Sequence, residues 1–211
     1  MRKFDTTLYF ITDSTALDEQ VFLYKVEQAC KGGVTLLQLR EKDTDTRSYL
    51  SLAQKVHEIT KRYGIPLIID DRVDVALAAE TEGVHLGQSD LPVFLARKIL
   101  GEDKIVGATA KTVEQAKEAY EQGADYLGVG AIYPTTTKVK TVLTSVETLS
   151  KICDAVPIPV NAIGGLTKDN IGILKDADID GICVVSAIMK AEDSKQAAEE
   201  LKAAYKSLKG K

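Results

Sequence analysis

Short apolar runs rich in β-branched residues alternate along the chain with longer stretches in which apolar positions recur every three or four residues. The runs are Leu8–Ile11, Thr35–Leu39, Pro66–Ile69, Gly83–Leu86, Ile105–Gly107, Tyr126–Val129, Ile158–Ile163 and Gly181–Val185. Runs this short, apolar at consecutive positions, predict strands buried on both faces. Between them Phe22, Val26, Ala29 and Cys30, then Tyr49, Leu52, Ala53 and Val56, then Val113, Ala116, Ala119 and Tyr120 fall at helical spacing. Each set predicts a helix with one buried stripe. A last helix is expected over Ser194–Leu208, burying Ala197, Leu201, Ala204, Tyr205 and Leu208. Thr112 with Gln115 has capping-box spacing, Pro92 suits a first helical turn, and Gly32, Gly64 and Gly123 fall where helices should stop.

Strands apolar on both faces that alternate with helices call for a parallel α/β sheet covered by helices. Eight such units in 211 residues leave about 26 residues each, which suits a closed (β/α)8 TIM barrel, a single domain over residues 1–211, near the lower size limit. An open doubly wound sheet is the competing architecture, but no GxGxxG pattern follows the first strand. No linker, fixed-period repeat or shift in composition divides the chain.

Composition narrows the function. With 45% hydrophobic and 27% charged residues the chain is neither disordered nor of low complexity. Its 27 basic and 31 acidic residues give a net charge of -4, which argues against coating nucleic acid, and the absence of Trp leaves little for stacking bases. Cys30, Cys153 and Cys183 are far apart, with no CxxC or Cys/His ligand spacing, and are expected to be buried reduced thiols. Met1–Asp5 runs into only a short apolar segment, so neither a signal peptide nor a membrane helix is expected. These features point to a cytoplasmic protein that acts on small molecules, without nucleic-acid or membrane partners. They leave oligomerisation open.

In a barrel, chemistry belongs at the C-terminal ends of the strands. There the polar residues cluster: Gln38, Arg40, Glu41 and Lys42 after the second strand, Asp70, Asp71 and Arg72 after the third, Gln88 and Asp90 after the fourth. Thr109 follows on the fifth, Ala131–Thr144 on the sixth, Gly164 and Gly165 on the seventh, Val185 and Ser186 on the eighth. Strand periodicity puts Gln38 and Arg40 on one face, and a guanidinium there suits a phosphate, although a solvated charge cluster would read the same way. Asp70, Asp71 and Asp90 each precede a helix and could act as N-caps. Asp71 and Asp90 on neighbouring strands also make the hard-oxygen site that Mg2+ shares with a diphosphate. The segments around Gly165 and Ser186 are expected to offer backbone N–H groups at helix N-termini, the phosphate seat after strands seven and eight. The stretch Ala131–Thr144 suggests a lid supplying Thr135, Thr137 and Lys138. His57 and His85 have no evident nucleophile or carboxylate partner and are assigned to core or surface. Walker A, HExxH and GxSxG patterns are absent.

Taken together, Gln38-Leu39-Arg40-Glu41-Lys42, Asp70-Asp71-Arg72, His85-Leu86-Gly87-Gln88-Ser89-Asp90, Gly123-Ala124-Asp125-Tyr126, Pro134-Thr135-Thr136-Thr137-Lys138 and Ala162-Ile163-Gly164-Gly165 resemble the thiamine-phosphate synthase family, in the same order over nearly the whole chain. The resemblance implies a transferase that joins 4-amino-2-methyl-5-hydroxymethylpyrimidine diphosphate to 4-methyl-5-(2-hydroxyethyl)thiazole phosphate, with release of diphosphate. It implies Gln38, Arg40 and Lys42 toward the pyrimidine diphosphate, Asp71 and Asp90 on Mg2+, and Thr109 and Lys138 on the diphosphate. Arg40, Lys42 and Lys138 would carry catalysis by stabilising the leaving charge, while Thr135, Thr137, Gly165, Val185 and Ser186 would hold the thiazole phosphate.

Several positions depart from the family pattern. Asp70 stands where Asn is common, adding a negative charge beside the diphosphate; Thr109 replaces Ser, Lys111 replaces His and Ala131 replaces Pro. The segment after Lys138 lacks the glycine often found there. A thiazole tautomerase of the same superfamily, a catalytically silent precursor-binding barrel and an unrelated phosphosugar barrel are the alternatives. Gln88, Asp90 and the Pro134–Lys138 segment favour the synthase over the tautomerase.

Overall fold

The structure, a computed structural model, describes residues 4–15, 17–134 and 142–210. Its strands are β1 (Leu8–Ile11), β2 (Leu36–Leu39), β3 (Leu67–Asp70), β4 (Gly83–Leu86), β5 (Ile105–Ala110), β6 (Tyr126–Gly130), β7 (Val160–Ile163) and β8 (Gly181–Val184). They pair in parallel in chain order, and β8 closes onto β1 through Leu8↔Ile182, Tyr9↔Cys183 and Phe10↔Val184. The expected (β/α)8 barrel is thus the observed fold; β1 and β4 keep their expected bounds and the other strands shift an end by one to three residues. Helices cover it outside: α1 (Glu19–Lys31), α2 (Thr46–Arg62), α3 (Val73–Ala78), α4 (Val93–Leu100), α5 (Val113–Glu121), α6 (Val146–Ala155), α7 (Ser186–Met189) and α8 (Ser194–Leu208). After β7 there is only a 3-10 turn, Ile171–Leu174.

Period-two alternation divides the core in two. One set of strand residues, among them Leu8, Phe10, Leu37, Leu39, Ile69 and Val84, packs outward against the helices. The other set, Tyr9, Ile11, Leu36, Ile68, Ile105, Tyr126 and Cys183, fills the barrel interior. Small residues inside make room for the aromatics. A Cβ at Gly107 would lie 2.1 Å from Tyr126 Cζ, so that ring occupies the space a side chain on β5 would need.

Helix starts follow elementary capping. Asp18, Asp45, Ser145 and Asp193 accept hydrogen bonds from first-turn N–H groups, and Thr112 Oγ1 accepts from Gln115 N at 3.3 Å. The Gln115 side chain reaches back to Lys111 N rather than Thr112 N, so the expected capping box is displaced by one residue. Pro92 is the N-cap of α4 and Gly32 the C-cap of α1, while Gly64 and Gly123 each follow a C-cap in left-handed backbone.

Helix faces differ in places from the periodic expectation. On α8, Ala198 is buried together with Leu201 and Tyr205, whereas Ala197, Ala204 and Leu208 are half-buried. Tyr120 is exposed because α5 ends one residue later and its ring lies past the sheet-facing stripe. Cys30 and Cys183 are buried free thiols and Cys153 is half-buried and free. Among the described residues no helix is long and apolar enough to cross a membrane.

A side chain at Gly107 must displace Tyr126 from a closed interior. Gly107→Ala is expected to cost about 2–3 kcal/mol of stability, the range for overpacking a core, read as a lowered urea midpoint at unchanged m value.

Candidate active site

The C-terminal ends of β2 and β3 bring opposite charges together. Pairing of Gln38 with Ile68 and Leu39 with Ile69 sets Arg40 beside Asp70 at the rim. Arg40 Nε lies 3.8 Å from Asp70 Oδ2, and Lys42 Nζ lies 2.7 Å from the same oxygen and also contacts Asp71 Oδ2. Glu41, between them in sequence, turns away and accepts from Ser14 Oγ at 2.8 Å. The Arg40-Glu41-Lys42 run is therefore divided: both cations line the mouth and the carboxylate ties the loop after β2 to the loop after β1.

Asp70 is buried and inward-facing. Burial and the neighbouring Asp71 charge push its carboxyl up to about 6, against the pull of Lys42 and Arg40. Asp71 behaves oppositely. Partial burial would raise its carboxyl, but hydrogen bonds from Lys42 and Asp90 and the Lys42 charge hold it below the usual range. Lys42 loses some hydration yet is held above the ordinary lysine range by the two aspartates.

Asp71 and Asp90 meet across the ends of β3 and β4. Asp71 sits in left-handed backbone (φ 60°), and its N–H bonds to His85 O at 2.9 Å, so the chain doubles back after β3. That conformation costs a side-chain-bearing residue roughly 1 kcal/mol, and aspartate tolerates it better than most. The turn brings the Asp71 carboxylate into hydrogen-bond contact with that of Asp90, whose acid is raised by burial and by the neighbouring Asp71. Asp90 Oδ2 also accepts from Gly87 N at 2.7 Å. Neither residue caps a helix. The N-caps of α3 and α4 are Arg72 and Pro92, without side-chain cap bonds, so the capping alternative for Asp71 and Asp90 is excluded.

Gln38 and Thr109 both reach the interior, and three residues that periodicity assigned to the core connect them. Gln38 Nε2 donates to Tyr9 Oη at 2.6 Å, and Tyr9 Oη is 2.7 Å from Tyr126 Oη. Tyr126 Oη is 3.0 Å from His85 Nδ1, and His85 Nε2 is 2.9 Å from Thr109 Oγ1. Burial pushes the His85 imidazolium down to about 4 and raises both tyrosines well above their ordinary range. Tyr9 and Tyr126 were detectable only as hydroxyl-bearing residues at inward positions of strands. His57, by contrast, is on the outside of the barrel, held by Ala79 O and Glu82 Oε1.

The far side of the mouth is built from glycines and a short helix. Gly165 has φ 65°, and a Cβ there would lie 2.7 Å from Tyr133 Cβ and 2.9 Å from Pro134 O, so the loop after β7 packs against the loop after β6. Asn170 pins it, donating from Nδ2 to Gly165 O and accepting Thr167 N at Oδ1, both at 2.8 Å; sequence reading did not single out this residue. The helix N-terminus expected at Gly164–Gly165 is not there, because the chain forms this side-chain-tied turn and then the 3-10 turn. After β8, Val185 precedes α7 and Ser186 opens it without a side-chain cap bond, while the Ile188 amide donates to Val185 O at 3.2 Å. Thr135, Thr137 and Lys138 lie outside the described residues. The flanks of their segment meet, with Thr144 N donating to Ala131 O at 2.8 Å.

One rim of the barrel thus carries two cations, two carboxylates in mutual contact, an amide and a hydroxyl facing inward, and glycine-lined turns opposite. Such a set can hold an oxygen-ligated cation and phosphate groups. A sequence model described as thiamine monophosphate synthase matches residues 8–188. The chain is 50% identical over 200 residues to a thiamine-phosphate synthase from Clostridium tetani, covering 95% of this chain and 96% of that one. It is 48% identical over 207 residues to one from Methanobrevibacter smithii, covering 98% and 99%. Among solved structures, thiamine phosphate pyrophosphorylase from Pyrococcus furiosus superposes with a TM-score of 0.87 at 39% identity over 97% of each chain. A 3-hexulose-6-phosphate synthase superposes at 0.71 with 17% identity, a likeness of fold alone. The match of the family model to residues 8–188 and the agreement over nearly the full length of these relatives show that the chain belongs to the thiamine monophosphate synthase family.

Proposed function

We propose that this mouth joins 4-amino-2-methyl-5-hydroxymethylpyrimidine diphosphate to 4-methyl-5-(2-hydroxyethyl)thiazole phosphate, giving thiamine monophosphate and diphosphate. The observation that supports this most directly is the Asp71–Asp90 carboxylate pair beside Lys42, above the buried Asp70. Two carboxylates in contact need a positive charge between them. A divalent cation held between them would supply it. Among the described residues no group of three or more His, Cys, Asp or Glu side chains could hold a metal alone. Mg2+ takes one or two carboxylates and completes its shell with water and phosphate oxygens. Bound there, it would offset charge on the departing diphosphate.

The chain's own residues then divide the work. The methylene–oxygen bond of the pyrimidine breaks with its electron pair passing to the diphosphate, and the thiazole nitrogen donates its lone pair to the methylene carbon. Arg40 and Lys42 stabilise the growing anionic charge, joined by Lys138 from the segment after β6. Gln38 orients the pyrimidine, while Asp70 and Thr109 face the substrate from inside the barrel. Gly165, Val185 and Ser186, with Thr135 and Thr137, seat the thiazole phosphate. No protein nucleophile is required. Both substrates are small, phosphorylated metabolites, and the reaction is assigned to the cytoplasm.

Purified protein given both precursors is expected to form thiamine monophosphate only with Mg2+ present, as chromatography of the product would show; turnover that persists in excess chelator counts against the metal. Asp71→Ala and Asp90→Ala should each lower kcat/KM by about two decades or more, roughly 3 kcal/mol of transition-state stabilisation. Full activity in either variant would remove that carboxylate from the mechanism.

The raised acid of Asp70 makes a separate prediction about stability. Between the ordinary value of 3.8 and about 6 the folded chain holds a proton that the unfolded chain has released, so stability falls as pH rises through that window. Asp70→Asn is expected to be more stable than the parent chain near neutral pH, with the difference closing toward about pH 4 in urea melts. A difference independent of pH would contradict it.

A further inference from the structure

Beneath the mouth, one hydrogen-bonded path crosses the barrel from β2 to β5 by way of β1, β6 and β4. Its members in order are Gln38 Nε2, Tyr9 Oη, Tyr126 Oη, the His85 ring and Thr109 Oγ1, with separations of 2.6, 2.7, 3.0 and 2.9 Å. Tyr9 and Tyr126 are fully buried and His85 nearly so. Each hydroxyl has a single proton to give, and a neutral imidazole donates from one nitrogen and accepts at the other. The polarity of the whole path therefore follows from one end.

At that end Gln38 donates from Nε2 to Tyr9. The Tyr9 proton must then go to Tyr126 and the Tyr126 proton to His85 Nδ1, which is therefore bare. The ring keeps its proton on Nε2 and donates it to Thr109 Oγ1. The Thr109 hydroxyl is left with its own proton for an acceptor beyond the path, and Gln38 is left with Oε1 as an acceptor. We propose that Tyr9, Tyr126 and His85 are positioning residues which, by this one-way path, set Gln38 as an acceptor and Thr109 as a donor toward the substrate.

The assignment rests on the function proposed above in one respect. An aminopyrimidine diphosphate carries an exocyclic amine that needs an acceptor and phosphate oxygens that need donors. The proposed polarity presents each partner with the matching group, whereas the reverse polarity would set an amide NH2 against the amine and a hydroxyl lone pair against the phosphate. In a low-dielectric interior such a mismatch is penalised more strongly than in water.

The tautomer can be read without substrate. The chain has only two histidines, His57 and His85, so protein labelled with 15N-histidine gives two imidazole patterns in a long-range 1H–15N correlation, and His57→Gln assigns them. The substrate-free protein is expected to show His85 with its proton on Nε2, and Tyr126→Phe to lose that preference. With both precursors and Mg2+, Tyr126→Phe should lower kcat about tenfold, the effect of one misdirected hydrogen bond, while KM for the thiazole phosphate stays within about twofold. Tyr9→Phe should act in the same direction, and the double variant should cost less than the sum of the two. An Nδ1–H tautomer in the parent protein overturns the proposal. So does a Tyr126→Phe variant with a lowered urea midpoint but parental kcat, which would mean the hydroxyl serves the core alone. If Tyr126→Phe does not fold, Tyr9→Phe carries the kinetic arm. If the protein makes no thiamine monophosphate, the spectrum still reports the polarity of the path, so the two proposals fail separately.

Discussion

Closure of β8 onto β1 is the contact on which everything else in this molecule depends. An open parallel sheet of eight strands would leave two edges of unpaired backbone groups and spread its C-terminal ends over a long ridge. Joining Leu8, Tyr9 and Phe10 to Ile182, Cys183 and Val184 removes both edges and gathers those eight ends into one ring. Arg40, Asp71, Thr109 and Gly165 are widely separated in sequence. They share a mouth because the ladder is circular.

The same closure sets a limit on what can lie inside. An eight-stranded barrel is only wide enough to be filled by side chains, so each large inward residue needs a small one opposite. Tyr126 lies where Gly107 has no side chain, and its hydroxyl then meets Tyr9 and His85 instead of apolar wall. A polar path through the interior is tolerable because every hydroxyl and ring nitrogen along it has a partner. At the rim a different balance holds. Asp70, Asp71 and Asp90 stand against Lys42 and Arg40, and burial together with the crowding of like charges raises the acids of Asp70 and Asp90. A site with one negative charge too many is suited to a cation, and its flanking lysine and arginine to the anion that arrives with it.

Much of this was legible in the chain. Eight apolar runs separated by helical stretches match the eight strands, because a strand covered by helices must be apolar on both faces. The residues immediately after those runs mark the rim, because parallel strands all point the same way. Other features resist one-dimensional reading. The turn after β7 resembles a helix start in sequence, since glycines before a polar stretch are common there; Asn170, six residues beyond Gly164, decides otherwise through its side chain. Tyr120 satisfies the helical period and is still exposed, because period alone does not say where a stripe ends.

Order along the chain was enough to specify the barrel and to name its functional rim, since both follow from local periodicity and the direction of the strands. Which aspartates pair, which of their acids are raised and which lowered, and how Gln38 and Thr109 are joined through two tyrosines and a histidine came only with the folded coordinates. Those properties depend on distances of about 3 Å between residues from different strands and on how much water reaches them, and neither quantity is written in the order of residues along the chain.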